Sequence, residues 1–186
     1  MARRKDPSIS KNIIETTIKL TAQKGLAKAT SIEIAKNSGV TEATLFAHFQ
    51  SIANLRREAY EYAEQIHIDA INLVLEKAQN IEDVCFALLD EVVKNLNYVQ
   101  YSYSYELLDC TQSGCIKDVE KKDRVLAFVE KIFGNVVQHK NEQLLLWWTS
   151  KCVLLKYFAF RVFLDGDYSN TTRQNYVNII FGDILG

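Results

Sequence analysis

The sequence predicts an all-α protein of about nine helices. Three observations carry that expectation. Across 186 residues there are one proline and seven glycines, too few for a turn-rich β fold and suited to long helices. Apolar residues recur at spacings of three and four along most of the chain. Between these stretches stand residues that start and stop helices, such as Ser8, Gly25, Thr41, Ser51, Asn80 and Gly166. The 48% hydrophobic and 24% charged content is that of an ordinary globular protein able to bury a core.

Residues 1–7, MARRKDP, are too polar to pack and read as a basic arm, with Arg3, Arg4 and Lys5 placed to meet phosphates or a minor groove. Ser8 or Ser10 is the expected cap of a first helix to about Lys24, with Ile14, Ile18 and Ala22 every fourth residue and Gly25 as its stop. The stretch TSIEIAKNSGVTEATLFAHFQSIANL, Thr30 to Leu55, organises the rest. It reads as two short helices joined at Ser38-Gly39-Val40. Ile32, Ile34, Ala35 and Val40 supply one apolar side, and Leu45 and Phe49 the other. Gly39 sits where the turn needs positive φ. Thr41 is the expected cap of the second helix. This is the layout of a helix-turn-helix, whose second helix enters the DNA major groove.

Ser51 then caps a long helix to about Gln79 with Leu55, Ala59, Ala63, Ile66 and Ala70 along one side. No Gly-, Pro- or Ser-rich linker interrupts it, so it is expected to carry movement from the second part to the first. Asn80 ends it. Helices follow over about 81–95, over 97–109 with Tyr98, Tyr101 and Tyr105 on one face, and over about 116–139, with a loop at Thr111–Gly114. The last two, from about Asn141 to Leu164 and Thr171 to Leu185, are the most apolar. LLLWW and CVLLKYFAF cover most of a helix circumference, which demands burial on more than one side. A homodimer built on this pair is the natural outlet, through Trp147, Trp148, Leu155, Phe158, Tyr176, Ile180 and Phe181.

Charge separates the two ends. Residues 1–60 hold ten cations and five anions, a net of +5, while the remainder carries −6. A basic N-terminal third suits a polyanionic partner. Histidines 48, 67 and 139 are scattered, and no metal-ligand spacing or phosphate-cradling glycine loop occurs, which argues against an enzyme, a metal and a cofactor. The four cysteines form no Cys-x-x-Cys pair, and no signal peptide or membrane span is present, so a cytoplasmic location with reduced thiols is expected. Cys110 and Cys115 flank the expected loop, and ordinary buried thiols are favoured over a redox pair.

Residues Gly25 to Leu55 resemble the N-terminal signature of the TetR family of bacterial transcriptional regulators. The matching features are Thr30 before Ile34-Ala35, then Gly39-Val40-Thr41, then Thr44-Leu45-Phe46-Ala47-His48-Phe49. The resemblance implies a three-helix DNA-binding domain at 1–50 and a helical ligand-binding and dimerisation domain at 51–186. It implies a ligand-responsive repressor that binds a palindromic double-stranded operator as a homodimer, with reading helices about 34–36 Å apart. Thr30 or Ser31 would contact phosphate, with Lys36 nearby. Thr41, Glu42 and Ala43 would lie nearest the base edges, and Thr44, His48 and position 46 would meet the DNA backbone. Phe46 replaces the family's usual Tyr, and Ile52 its usual Lys, each removing a phosphate contact. An alternative is a relative that acts through a protein partner. A small-molecule effector of unknown identity is expected near Tyr98, Tyr101 and Tyr105, with Glu91 or Glu106 facing a cationic or hydroxyl-rich group.

Overall fold

The computed structural model describes residues 6–113 and 119–185, with the side chains of 75, 106–113 and 119–124 outside that description. All regular structure among these residues is helical: α1 Pro7–Lys24, α2 Ser31–Asn37, α3 Glu42–Phe49, α4 Ile52–Lys77, α5 Ile81–Lys94, α6 Leu96–Ser113, α7 Val119–Phe133, α8 Glu142–Asp165 and α9 Asn170–Leu185. Two compact units result. The first holds residues up to Asp69 together with Asn97–Cys115, and the second holds Ala70–Leu96 and Ile116 onward.

In the first unit, α1 is capped by Asp6, two residues before Ser8 and four before Ser10, the expected caps. The carboxylate of Asp6 accepts from the Ser8 amide at 2.9 Å and the Ser8 hydroxyl at 2.7 Å. Pro7 occupies the first turn, where a missing N–H costs nothing. Those hydrogen bonds hold the Asp6 carboxyl below the usual carboxylate range. Gly25 closes the helix at φ +81, its N–H bonded to the Thr21 carbonyl. Ile13, Leu20, Ala29, Ile34, Ala35, Leu45, Phe49 and Leu55 form the core of α1–α3 and the start of α4, with Val40 and Ile52 packed against it. Ile32 is not part of that core. It is 65% exposed, because only Ile34 and Ala35 of this seven-residue helix turn inward.

A second cluster joins Ile18, Ala59, Ala63 and Tyr101, flanked by Tyr60, Tyr62, Tyr98 and Tyr105. Ser51 caps α4 as expected, accepting the Asn54 amide at 3.0 Å. Helix α6 continues through Thr111–Ser113, where a loop was expected.

In the second unit, Asn80 begins a helix rather than ending one. Its side chain accepts the Asp83 amide at 2.9 Å as the cap of α5. Helix α5 packs on α8 and α9, and α7 packs on α8. The core holds Val84, Cys85, Leu88 and Leu89 of α5, Val129 and Phe133 of α7, Trp147, Trp148 and Leu155 of α8, and Val177, Ile180 and Phe181 of α9. Phe133 sits among three rings, with centroids 5.2 Å from Trp147, 5.6 Å from Trp148 and 6.3 Å from Phe181. Helix α7 stops at Phe133, short of the expected His139. Gly166 ends α8 in the left-handed conformation at φ +67.

Two polar clasps tie α9 into this unit. The Arg173 guanidinium grips both oxygens of Asp90, donating from Nε at 2.6 Å and from a terminal nitrogen at 2.5 Å. Tyr168 donates to the same carboxylate at 2.5 Å, and Arg173 lies over the Phe86 ring at 4.3 Å. At the other end, Asp183 accepts from Trp147 Nε1 and from Lys151 Nζ, each at 2.7 Å. Burial pushes the Asp183 carboxyl up, but these two donors outweigh it and leave the group below the usual range.

Candidate nucleic-acid interface

The interface is built by α2, the turn and α3. Thr30 stands in extended backbone as the cap of α2, its hydroxyl accepting the Glu33 amide at 3.3 Å. Asn12 of α1 donates to the Ser38 carbonyl at 2.9 Å, pinning the end of α2. Gly39 then turns the chain at φ +69, a conformation that costs a side-chain-bearing residue about 1 kcal/mol or more. Thr41 caps α3, accepting the Thr44 amide at 3.1 Å, with the two threonine hydroxyls 3.0 Å apart. Removing such a cap costs about 1 kcal/mol of helix stability. Leu45 and Phe49 are buried beneath α3, which fixes the face it leaves to solvent.

That outward side carries Thr41 and Ala43, with Phe46 37% exposed. Lys36 on α2 is exposed as well, while Ser31, Glu42 and Thr44 are half-buried. Ser31 and Glu42 are bonded to each other, Ser31 Oγ donating to Glu42 Oε1 at 2.6 Å. Nothing in the spacing of two residues eleven apart announces this pair. It arises because the turn brings the first turns of both helices together.

His48, expected to meet the DNA backbone, faces α1. Its ring is only 9% exposed, and Nδ1 lies 2.8 Å from Ser10 Oγ of α1. The residue ties α3 to α1, because position 48 falls between the buried Leu45 and Phe49 on the inner side of a short helix. Ile52 packs against the N-terminal core and offers no cation. Lys24 is spent on Glu33 at 2.7 Å. Lys28 is an exposed cation beside the motif that the family pattern did not single out. Arg3, Arg4 and Lys5 lie outside the described residues.

Among the residues expected around an effector, the described tyrosines pack within the first unit. Tyr101 is fully buried in the first unit, its hydroxyl donating to the Arg56 carbonyl at 2.9 Å. Tyr105 stacks on Tyr60 at 4.8 Å, and Tyr98 packs on Tyr62 at 6.3 Å. Tyr62 in turn donates to Glu15 at 3.0 Å, and burial with this bond pushes its phenol up to about 12. Tyr101 therefore makes core, with Tyr98 and Tyr105 half-buried beside it, because this helix face meets the apolar sides of α1 and α4. Glu91 belongs to the second unit, where Asn95 and Lys94 face it. The side chain of Glu106, Cys110 and Cys115 lie outside the described residues. Within the second unit an open groove of ≈ 580 Å³ is lined by Asn72, Glu76, Ile81, Val84, Lys131 and Ile132, none of them among the side chains expected to face an effector.

The residues expected at a dimer interface lie in or against the core of the second unit. Trp147, Trp148, Leu155, Ile180 and Phe181 are buried within the protomer, and Phe158 and Tyr176 pack against the same core with rings 4.3 Å apart. The first five are spent on the protomer's own interior, while Phe158 and Tyr176 stay half-buried. The apolar side that α8 leaves uncovered is a different one: Leu146 at 70%, Val153 at 59%, Tyr157 at 56%, Phe160 at 42% and Leu164 at 57% exposure, with Phe163 at 70% beside them and Ile179 on α9 at 59%. No group of three or more His, Cys, Asp or Glu side chains able to hold a metal occurs among the described residues. No helix among them is long and apolar enough to cross a membrane.

Comparison with known proteins agrees with the architecture. Residues 13–59 match the family described as bacterial regulatory proteins, tetR family. Over 62 residues the chain is 32% identical to the nucleoid occlusion factor SlmA of Idiomarina loihiensis, a stretch covering 33% of this chain and 32% of that protein. The match thus spans about a third of the curated relative. A TetR-like transcriptional regulator from Rhodococcus sp. RHA1 superposes with a TM-score of 0.73 at 11% identity, covering 99% of this chain and 100% of that one. The fatty acid degradation regulator FadR from Bacillus halodurans does so with a TM-score of 0.68 at 16% identity, over 99% and 97% of the two chains. At these identities the likeness to the solved structures is one of fold.

Proposed function

We propose, because residues 13–59 match the tetR family of bacterial regulatory proteins and the fold is that of TetR-like regulators, that the protein is a ligand-responsive repressor which binds a palindromic operator as a homodimer. Residues 1–50 are the DNA-reading part, and residues 51–186 hold the dimer contact and the effector. The observation that carries this reading is the pair of capped helices around Gly39, with Thr41 and Ala43 of α3 facing solvent above a fixed core. Such a helix, held rigidly at both ends, is what entry into a major groove requires. Lys28 and Lys36 supply nearby positive charge for phosphates.

The uncovered apolar stripe on α8 supports the homodimer. Five of its residues recur at spacings of seven, four, three and four from Leu146 to Leu164, which is one continuous helix face. An exposed stripe of this kind marks an association surface.

A second reading, regulation through a protein partner without strong operator binding, draws on Phe46, Ile52 and Glu42. Two of these lack a phosphate donor, and the third repels phosphate. A gel shift of the protein against its own upstream DNA, at low and at high salt, separates the two. Specific binding that weakens as salt rises retires the partner-only reading. Equal binding to scrambled DNA, or none, retires the repressor.

A further inference from the structure

We infer that Glu42 is the residue by which this protein selects cytosine in each half-site, and that Ser31 is the positioning residue that holds it in place. The inference rests on the DNA-binding reading and deepens it. Glu42 opens α3, the helix that faces the groove, directly after the Thr41 cap. A free glutamate there would swing among rotamers and, facing phosphates, turn away from DNA. This one is tethered: Ser31 Oγ holds Oε1 at 2.6 Å, and the pair is half-buried between the first turns of α2 and α3. Among the described residues no cation pairs with Glu42, so its charge is not cancelled inside the protein.

A carboxylate accepts several hydrogen bonds and donates none. With Oε1 bonded to Ser31, Oε2 keeps its lone pairs for a base. In the major groove cytosine presents an amino donor, while guanine and thymine present acceptors that a carboxylate repels. Adenine offers an amino group beside the N7 acceptor, so its attraction is offset. The tether disfavours escape from a wrong base and biases the side chain toward this place before binding. Glu42 thus acts by penalty as much as by attraction, which is how a residue that lowers overall affinity sharpens selection.

The test is enrichment from a randomised duplex DNA library by the full-length protein, as wild type, Glu42→Gln, Ser31→Ala and Ser31→Thr, each checked for native helicity. The wild type is expected to enrich a two-fold symmetric site with cytosine at one position of each half. Glu42→Gln should lose that preference by about fivefold or more per half-site, the low end for one good base contact. It should leave the other positions of the site unchanged. Ser31→Ala should blur preference at the same position, any lost phosphate contact weakening all sites equally, and Ser31→Thr, which keeps the hydroxyl, should restore it. An enriched site that Glu42→Gln leaves unaltered overturns the inference while sparing the DNA-binding reading. Failure of the wild type to enrich any site overturns both.

Discussion

Tyr101 offers the sharpest division between a packing residue and an effector contact. Its ring is fully buried among Ile18, Ala59 and Ala63, and its hydroxyl donates to the Arg56 carbonyl at 2.9 Å. Burial pushes the phenol far above its ordinary value, so the hydroxyl stays a donor at any working pH. Tyr101→Phe removes one hydrogen bond and no volume. The Arg56 carbonyl lies inside α4 and keeps its helical partner, so no acceptor is orphaned and the loss should be about 1 kcal/mol. Tyr101→Ala also empties a ring-sized space and should cost about 3–5 kcal/mol. Hydrogen exchange of peptides from α1 and α4, in the absence of any effector, reads both. The phenylalanine variant should exchange about fivefold faster there, and the alanine variant should approach the unprotected rate. Unchanged protection of α1 and α4 in Tyr101→Ala would refute the packing role and return Tyr101 to the effector site.

Three further outcomes are expected. Leu146→Glu or Phe163→Glu, each at a side chain 70% exposed in the protomer, should convert a dimer to monomer in sedimentation velocity while leaving helicity intact; Trp147→Ala should instead unfold the second unit. Asp183, held below the usual carboxylate range against the cost of burial by Lys151 and Trp147, contributes stability above its unfolded value near pH 3.9. That contribution is lost as pH falls through the lower folded value, so Asp183→Asn should weaken the protein at neutral pH and flatten the acid end of its stability profile in urea melts. Cys85 is fully buried, and burial pushes its thiol up to about 12. Alkylation by iodoacetamide at pH 8 followed by mass spectrometry should leave it unmodified in the native protein and modified in denaturant.

Local chemistry makes much of this protein readable from its sequence. Helix caps and stops act within four residues, so Gly25, Thr41, Ser51 and Gly166 marked their helices from the sequence, as did Gly39 at the turn. The same proximity rule explains the misplacements at Asp6 and Asn80. Each is one of several polar residues able to cap, and only the observed hydrogen bonds decide which one does. Hence the all-α fold and the helix-turn-helix at Thr30–Phe49 were legible in the chain.

Facing was decided by tertiary structure. Helix α8 is apolar nearly all round, so no periodicity singles out an inner side. The space left by α5, α7 and α9 chose Trp147, Trp148 and Leu155 and left Leu146, Val153 and Phe163 uncovered. Tyr98, Tyr101 and Tyr105 share a face in any helix, but only packing against α1 and α4 made that face core. Ser31 and Glu42 are each expected near DNA, but nothing in the sequence pairs them with one another. The turn between their helices brings them to 2.6 Å, and a contact made through space has no signature along the chain.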